Sequence, residues 1–397
     1  MSILLFVLLI GAWVYSLLTI LAALRYAAVR PSEVDVVPPI SILKPLDGLD
    51  LDLESNLRTF FEQDYPVFEL LFAVRSLDDP AVTVVEKLRR EYSHIPSRLL
   101  ITGEPAYSNA KVYSLQRMLA AAAHDLLVMS DSDTHVTSDF LYTMGKEFQD
   151  PHVGLVTCPY RAVSGPSFWS RLEATGLNTN FMAGILVARM MEGMRFAVGP
   201  TIVARRSVLR SIGGFQRLKD YLAEDFVMGK LAASSGYGVL LSSYVITHHI
   251  GSSDLTHNAS HRLRWARSTR RSRPLGYWGQ LLTMALPLSL LVCAAHPAWW
   301  PVLPVTCALR SLAAYVVSTR VLKARISWLL LPIEDLAGFC FWLAGFFGST
   351  IVWRGRRYHL YPDGRFEPLT TFADETSCSS SPHEEPVFAG SSGRNRR

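Results

Sequence analysis

The chain has 397 residues, 49% of them hydrophobic and only 18% charged, with a net charge of +5. That balance excludes a highly charged disordered chain and a separate basic arm for nucleic acid, because the arginines crowd beside apolar segments, a placement that suits anionic lipid headgroups. The 5 cysteines are scattered without CxxC or Cys/His spacing, which indicates neither a zinc site nor a disulfide framework and fits a reducing, cytosol-facing catalytic region.

Residues 3–24 carry no charge and match the roughly 20 residues that cross a bilayer core. Arg25 and Arg30 follow at once, so the positive-inside tendency predicts a retained anchor over 1–30 with the chain after it in the cytosol. A signal peptide is the competing reading, but its charge would precede the apolar run. On this basis the protein is expected in a membrane, the inner membrane if bacterial, with its catalytic domain over 31–274 on the cytosolic face.

After a linker at 31–39, strands are predicted at 40–43, 69–74, 97–101 and 125–129, with helices at 82–92 and 110–123 between them. This alternation predicts an α/β fold with a doubly wound, mostly parallel sheet, whose ligands sit beyond the carboxyl ends of the strands. Asp78-Asp79 closes the second strand and Asp131-Ser132-Asp133 the fourth. Asp131 and Asp133 flank a small serine, so both carboxylates suit a divalent ion, Mg or Mn, that bridges the phosphates of a nucleotide donor. The competing reading is an acidic turn with a helix cap at Thr137 or Ser138. Asp79 suits a base or ribose, although Asp-Pro is also a common turn pair. Lys111, two residues after Asn109, opens a helix facing the same strand ends, where its cation is expected to approach the nucleotide-sugar donor; an ordinary solvated lysine is the competing reading.

A further strand is predicted at 154–157, a long helix at 167–190, a helix at 221–235 and a strand at 237–246. Glu224-Asp225 falls in the first turn of its helix, where a carboxylate suits a general base for an acceptor hydroxyl, or simply complements the helix dipole. His261-Arg262-Leu263-Arg264-Trp265 starts a basic run through Arg273; Arg264 suits a departing diphosphate and Trp265 an apolar wall. The outer arginines suit lipid headgroups. His248 and His249 are assigned no metal.

From 275 to 358 the chain turns apolar. Segments 281–295 and 299–317 predict a hairpin of two membrane helices, with Arg310 forced to snorkel, pair or face protein. Segment 326–353 is too short for two crossings, and one crossing would put Arg354, Arg356 and Arg357 outside, so a re-entrant hairpin bent at 332–335 is expected. Residues 359–397 form a polar tail, expected to be disordered from about 371.

These residues together resemble the ceramide glucosyltransferase family, glycosyltransferase family 21, of the inverting GT-A group, including its bacterial hopanoid-linked N-acetylglucosaminyltransferase relatives. Leu43-Lys44-Pro45-Leu46, Phe60 through Pro66, Asp78-Asp79-Pro80-Ala81, Ala223-Glu224-Asp225-Phe226 and Trp353 through Tyr358 carry the likeness, and Arg264-Trp265-Ala266-Arg267 is similar to the bacterial branch. The resemblance implies a GT-A-type sheet flanked by one N-terminal and two or three C-terminal membrane segments. It implies that Asp79 contacts the nucleotide, Asp131 acts at the metal-diphosphate, Asp225 is the base, and Arg264-Trp265 close a D, D, D, (Q/R)xxRW pattern. His261 stands where Gln or Arg is expected. The implied partners are a UDP-sugar and a membrane lipid acceptor of ceramide or hopanoid type, with no nucleic acid. A processive polysaccharide synthase and a non-catalytic nucleotide-sugar-binding protein are the competing readings.

Overall fold

The computed structural model describes residues 2–29 and 37–369. Most of the predicted linker, and the tail from 370, lie outside the described residues. Seven strands form the central sheet: β1 (Ile40–Pro45), β2 (Phe68–Val74), β3 (Ser97–Ile101), β4 (Leu126–Ser130), β6 (Val153–Thr157), β8 (Thr201–Arg205) and β9 (Gly238–Leu241). Their order is β3-β2-β1-β4-β8-β6-β9. Only β8 runs against the rest, pairing antiparallel with β4 and β6, so the sheet is mixed and mostly parallel. Every residue of β2 and β4 is buried. Such unbroken apolar strands need cover on both faces. Phe60 and Phe61, Val85 and Leu88, and Phe140 and Met144 supply it on one face. On the other, Val112, Leu115 and Met118 pack with Val208, Leu209 and Met228. β1 lies between β2 and β4, where the winding reverses, and the crevice at that reversal opens at the carboxyl ends.

The stretch predicted as one strand over 237–246 is two. β9 stays in the main sheet, while β10 (Ile246–Ile250) joins a small sheet between β5 (Thr134–His135) and β7 (Tyr160–Ser164). The break is built by Glu147, whose Oε1 accepts from Ser242 Oγ at 2.9 Å and from the Ser243 amide at 2.7 Å. Those bonds turn the chain and carry His248 toward the acidic loop.

Helix Phe168–Gly176 continues through a π turn, Leu177–Phe181, into helix Met182–Glu192. This long rod packs against the N-terminal helix Ser2–Ala27 through Met182, Ala183, Leu186, Ala22 and Ala23. Among the described residues two helices are long and apolar enough to cross a membrane, Ile3–Ala27 and Val302–Val321; the bent pair Pro274–Thr283 and Ala285–Ala295 makes a third if it counts as one span.

The expected hairpin at 332–335 is not formed. Helix Leu330–Gly345 runs straight through those positions, because Pro332 falls in its first turn, where a missing amide costs no helical bond. Glu334 and Asp335 are buried by pairing instead of turning outward. After the helix, β11 (Thr350–Trp353), β12 (Arg356–Leu360) and β13 (Phe366–Pro368) form a small sheet. Its Ile351, Leu360 and Phe366 bury with Leu222, so this segment returns to the domain that carries Glu224-Asp225.

Candidate active site

The acidic loop after β4 is held from below by Lys44. This lysine ends β1 fully buried, donating to the Asp131 carbonyl at 2.6 Å and to Thr134 Oγ1 at 3.0 Å, with its ammonium 3.7 Å from the Phe60 ring centroid. Burial pulls its pKa down to about 7, against the opposing pull of Asp131 and Asp133. Sequence reasoning misses Lys44, since a lysine at a strand end looks solvated.

Lys111 is not freely solvated: its side chain is half-buried and paired. Asn109 caps helix Ala110–Ala121 by accepting from the Val112 amide, and it donates to the Tyr221 carbonyl at 2.9 Å and to Glu224. The next turn therefore places the Lys111 ammonium 2.7 Å from Asp131 and 3.0 Å from Glu224. Burial disfavours that charge, but the two carboxylates outweigh it and raise its pKa. Asp131 is raised by burial, with Lys111 opposing. Asp225, next to Glu224, is pushed up to about 7 by burial first and by the Glu224 charge second. Its backing is Gly199, where an added Cβ would lie 2.9 Å from Asp225 Oδ2. Two acidic positions from distant parts of the chain, Asp131 and Glu224, are thus joined through one cation.

Asp133 faces His248, whose Nδ1 approaches its Oδ1 to 3.2 Å as an ion contact without hydrogen-bond alignment. Burial would raise the Asp133 pKa, but His248 and Lys44 hold it at about 2. Ser132 between the two aspartates donates to Asp50. Among the described residues, no group of three His, Cys, Asp or Glu side chains is arranged to hold a metal.

Helix Leu255–Ser272 starts at Asp254, which accepts from the His257 amide at 2.9 Å. The spacing of 261, 264 and 265 puts those residues on one face. Trp265 packs against Phe181 of the π turn, ring centroids 5.4 Å apart, and against His261 at 5.0 Å. His261 bonds Glu173, which also accepts from Ser252 at 2.5 Å and Asn258 at 2.8 Å. Burial would raise Glu173, yet these bonds hold it at about 2. His261 therefore serves to seat the helix. Arg262 points the other way, to Glu334 at 2.7 Å. Arg264 lies deep in the site with its guanidinium 5.8 Å from the Trp353 ring centroid, and among the described residues it has no ion-pair partner. Burial draws its pKa down to about 10, which leaves it charged at neutral pH.

Asp79 lies apart from these groups. Its carboxylate accepts from the Gly48 amide at 3.1 Å and the Ala81 amide at 2.9 Å, and it does not line the cavity, whose wall at that end is Arg75, Thr102 and Gly103. The other predicted residues converge. A single cavity of about 1390 Å³ is lined by Lys111, Asp131, Asp133, Asp225, Arg264 and Trp265 and extends to Tyr15, Met284, Phe341 and Trp342 of the apolar helices.

The family model described as glycosyl transferase family 21 matches residues 4–366. The chain belongs to glycosyl transferase family 21. Among relatives of this family 21 chain, Ceramide glucosyltransferase 1 of Caenorhabditis elegans is 29% identical over 52% of the chain and 45% of that relative. Ceramide glucosyltransferase 3 of the same organism is 25% identical over 87% of the chain and 79% of the relative. The chain thus spans less than half the length of the first of these. Among solved structures, a mannosyltransferase of Pyrobaculum calidifontis in complex with GDP-Man and Mn2+ superposes with a TM-score of 0.53 at 17% identity, over 87% of this chain and 97% of that one. At that identity the likeness establishes the family 21 chain's fold, the GT-A-like sheet predicted above.

Proposed function

We propose that this family 21 chain is a membrane-bound inverting glycosyltransferase that moves a hexose or N-acetylhexosamine from a UDP-sugar to a lipid hydroxyl, of ceramide or hopanoid type, on the cytosolic face. The observation that carries the proposal is the continuity of one cavity, lined by charged groups at the strand ends and running on to Tyr15, Met284, Phe341 and Trp342 among the apolar helices. A soluble sugar donor and a lipid acceptor need those two kinds of wall in one space. Membership of the family and the ceramide glucosyltransferase relatives support the same reading.

Asp225 takes the proton of the attacking hydroxyl. A base with a pKa near 7 is matched to that task at neutral pH. The hydroxyl oxygen bonds the anomeric carbon as the bond to the donor phosphate breaks, so the configuration inverts and no sugar is held covalently. Arg264, which has no ion-pair partner among the described residues, receives the negative charge that develops on the departing diphosphate. Trp265 forms the apolar wall beside the acceptor. Asp131 and Asp133 line the cavity, and their carboxylates, hard oxygen donors, would hold a divalent ion of the Mg or Mn kind. When bound, the ion neutralises diphosphate charge. Lys111 keeps Asp131 and Glu224 in place, and Asp79 supports the nucleoside end indirectly, by holding the 45–48 loop through the Gly48 amide.

Mass spectrometry of lipids from a host expressing the chain tests the proposal, since the mass increment reports acceptor and sugar together. One added sugar per lipid agrees with it. A ladder of oligosaccharides, or no new glycolipid together with no UDP release, sinks it.

A further inference from the structure

The hairpin between β11 and β12 turns through two residues, Arg354 (φ 49) and Gly355 (φ 76), with Trp353 paired to Arg356. Positive φ at both positions is the requirement of the tightest hairpin turn, which Asn-Gly or Gly-Gly meets without strain. An arginine in the first of them is held in a conformation that L side chains rarely adopt, and such residues cluster where function requires them.

This arginine points into the cavity. Val352, Trp353, Arg354 and Arg356 all line it, across from the acidic loop. Arg354 Nη1 donates to the Asp47 carbonyl at 2.8 Å, but its ion contacts are long: 3.3 and 3.4 Å to Asp50 and 3.7 Å to Asp47. Asp50 is already engaged by Ser132, between the two aspartates, and Trp353 lies under the Arg264 guanidinium. The hairpin therefore bears on Arg264 with one residue and on the acidic loop with the next.

We infer that Arg354 is a second cation for the donor diphosphate, binding its terminal phosphate beside Arg264 and exchanging its long contacts with Asp47 and Asp50 for phosphate oxygens. A guanidinium fork suits that exchange, because a diphosphate offers short bidentate contacts that the two aspartates do not. The inference rests on the reading of the cavity as a nucleotide-sugar site. A purely structural arginine would leave the strained turn unexplained, since glycine would close the same hairpin better.

The test is calorimetric binding of UDP and of UMP, each with Mn2+, to the full chain in detergent, for the wild type, Arg354→Gly and Arg354→Asn, with thermal unfolding alongside. Glycine and asparagine tolerate positive φ, so the melting temperature is expected to hold or rise. UDP affinity is expected to fall about ten- to a hundredfold, the loss of one charge-assisted contact, while UMP, which lacks the second phosphate, weakens far less. Unchanged UDP affinity, or equal weakening of UDP and UMP, overturns the inference alone. A wild-type chain that binds no UDP overturns the donor reading and the inference with it.

Discussion

The ammonium of Lys111 lies 2.7 Å from the carboxylate of Asp131, and the same ammonium reaches Glu224 at 3.0 Å. One side chain therefore ties the loop after β4 to the helix that carries Asp225. Replacing it with methionine keeps the bulk of the stem and leaves two neighbouring carboxylates uncompensated. Breaking a fully buried pair costs about 3–5 kcal/mol. These groups are partly exposed, so Lys111→Met is expected to cost roughly 2–3 kcal/mol. Thermal unfolding in detergent measures the loss, and a melting temperature equal to the wild type's would show that the ion pairs carry no stability.

Asp225, pushed up to about 7 by burial, changes charge near neutral pH. Its carboxylate accepts a proton only when ionised, so the transfer rate is expected to fall as pH drops below about 7. The folded state holds this proton more tightly than the unfolded chain does. Stability contributed by the protonated form is therefore lost as pH rises from the ordinary aspartate value through about 7. Asp225→Asn removes the titration. The variant should lose about 10²–10⁴ in rate. Its melting temperature should gain on the wild type's steadily as pH rises from about 4 to about 7, and level off above. A constant difference across that range would place the titrating group elsewhere.

Gly199 offers a change that alters geometry and leaves the charges in place. An added methyl would stand 2.9 Å from Asp225 Oδ2, a distance that forces the carboxylate to move. A displacement on the order of 1 Å at a reacting group costs about 10²-fold in rate. Gly199→Ala is expected to show that loss in kcat with UDP affinity kept, measured by UDP release and by calorimetry; a normal kcat would mean that Asp225 has room to spare.

Much of this site is readable in the chain because it depends on unbroken apolar strands. β1, β2 and β4 announce themselves by runs such as Leu126-Leu127-Val128-Met129, and a doubly wound sheet gathers the loops at their carboxyl ends along one edge. Asp131 and Asp133 are legible on that ground, and Arg264 by its place in the basic-aromatic motif. The unreadable parts depend on pairs far apart in sequence. Lys44 looks like any strand-end lysine until Phe60, Thr134 and the Asp131 carbonyl surround it. Lys111 looks solvated because nothing local places Glu224 beside it. The split of 237–246 depends on Glu147, a residue with no pattern of its own. Segment 326–353 misleads because Glu334 and Asp335 count as breaks in an apolar run, whereas here they are the residues that dock the helix.

That docking leads to the last prediction. Arg310 on helix Val302–Tyr315 donates to Asp335 at 2.8 to 3.2 Å and to Thr179 of the π turn at 3.1 Å, and Asn180 donates to the same aspartate at 3.2 Å. All of this lies in the apolar bundle, with Arg310 and Asp335 both buried. A charge left there alone is costly, so Arg310→Leu and Asp335→Leu should each destabilise by about 3–5 kcal/mol. Replacing both removes the pair without stranding either partner, and apolar side chains of similar volume recover much of that loss. A double-mutant cycle on thermal unfolding in detergent therefore should return a coupling larger than either single loss, above about 3–5 kcal/mol, with the double variant more stable than either single one. If the losses simply add, the two residues do not act as a pair, and helix Leu330–Gly345 is held by its apolar face alone.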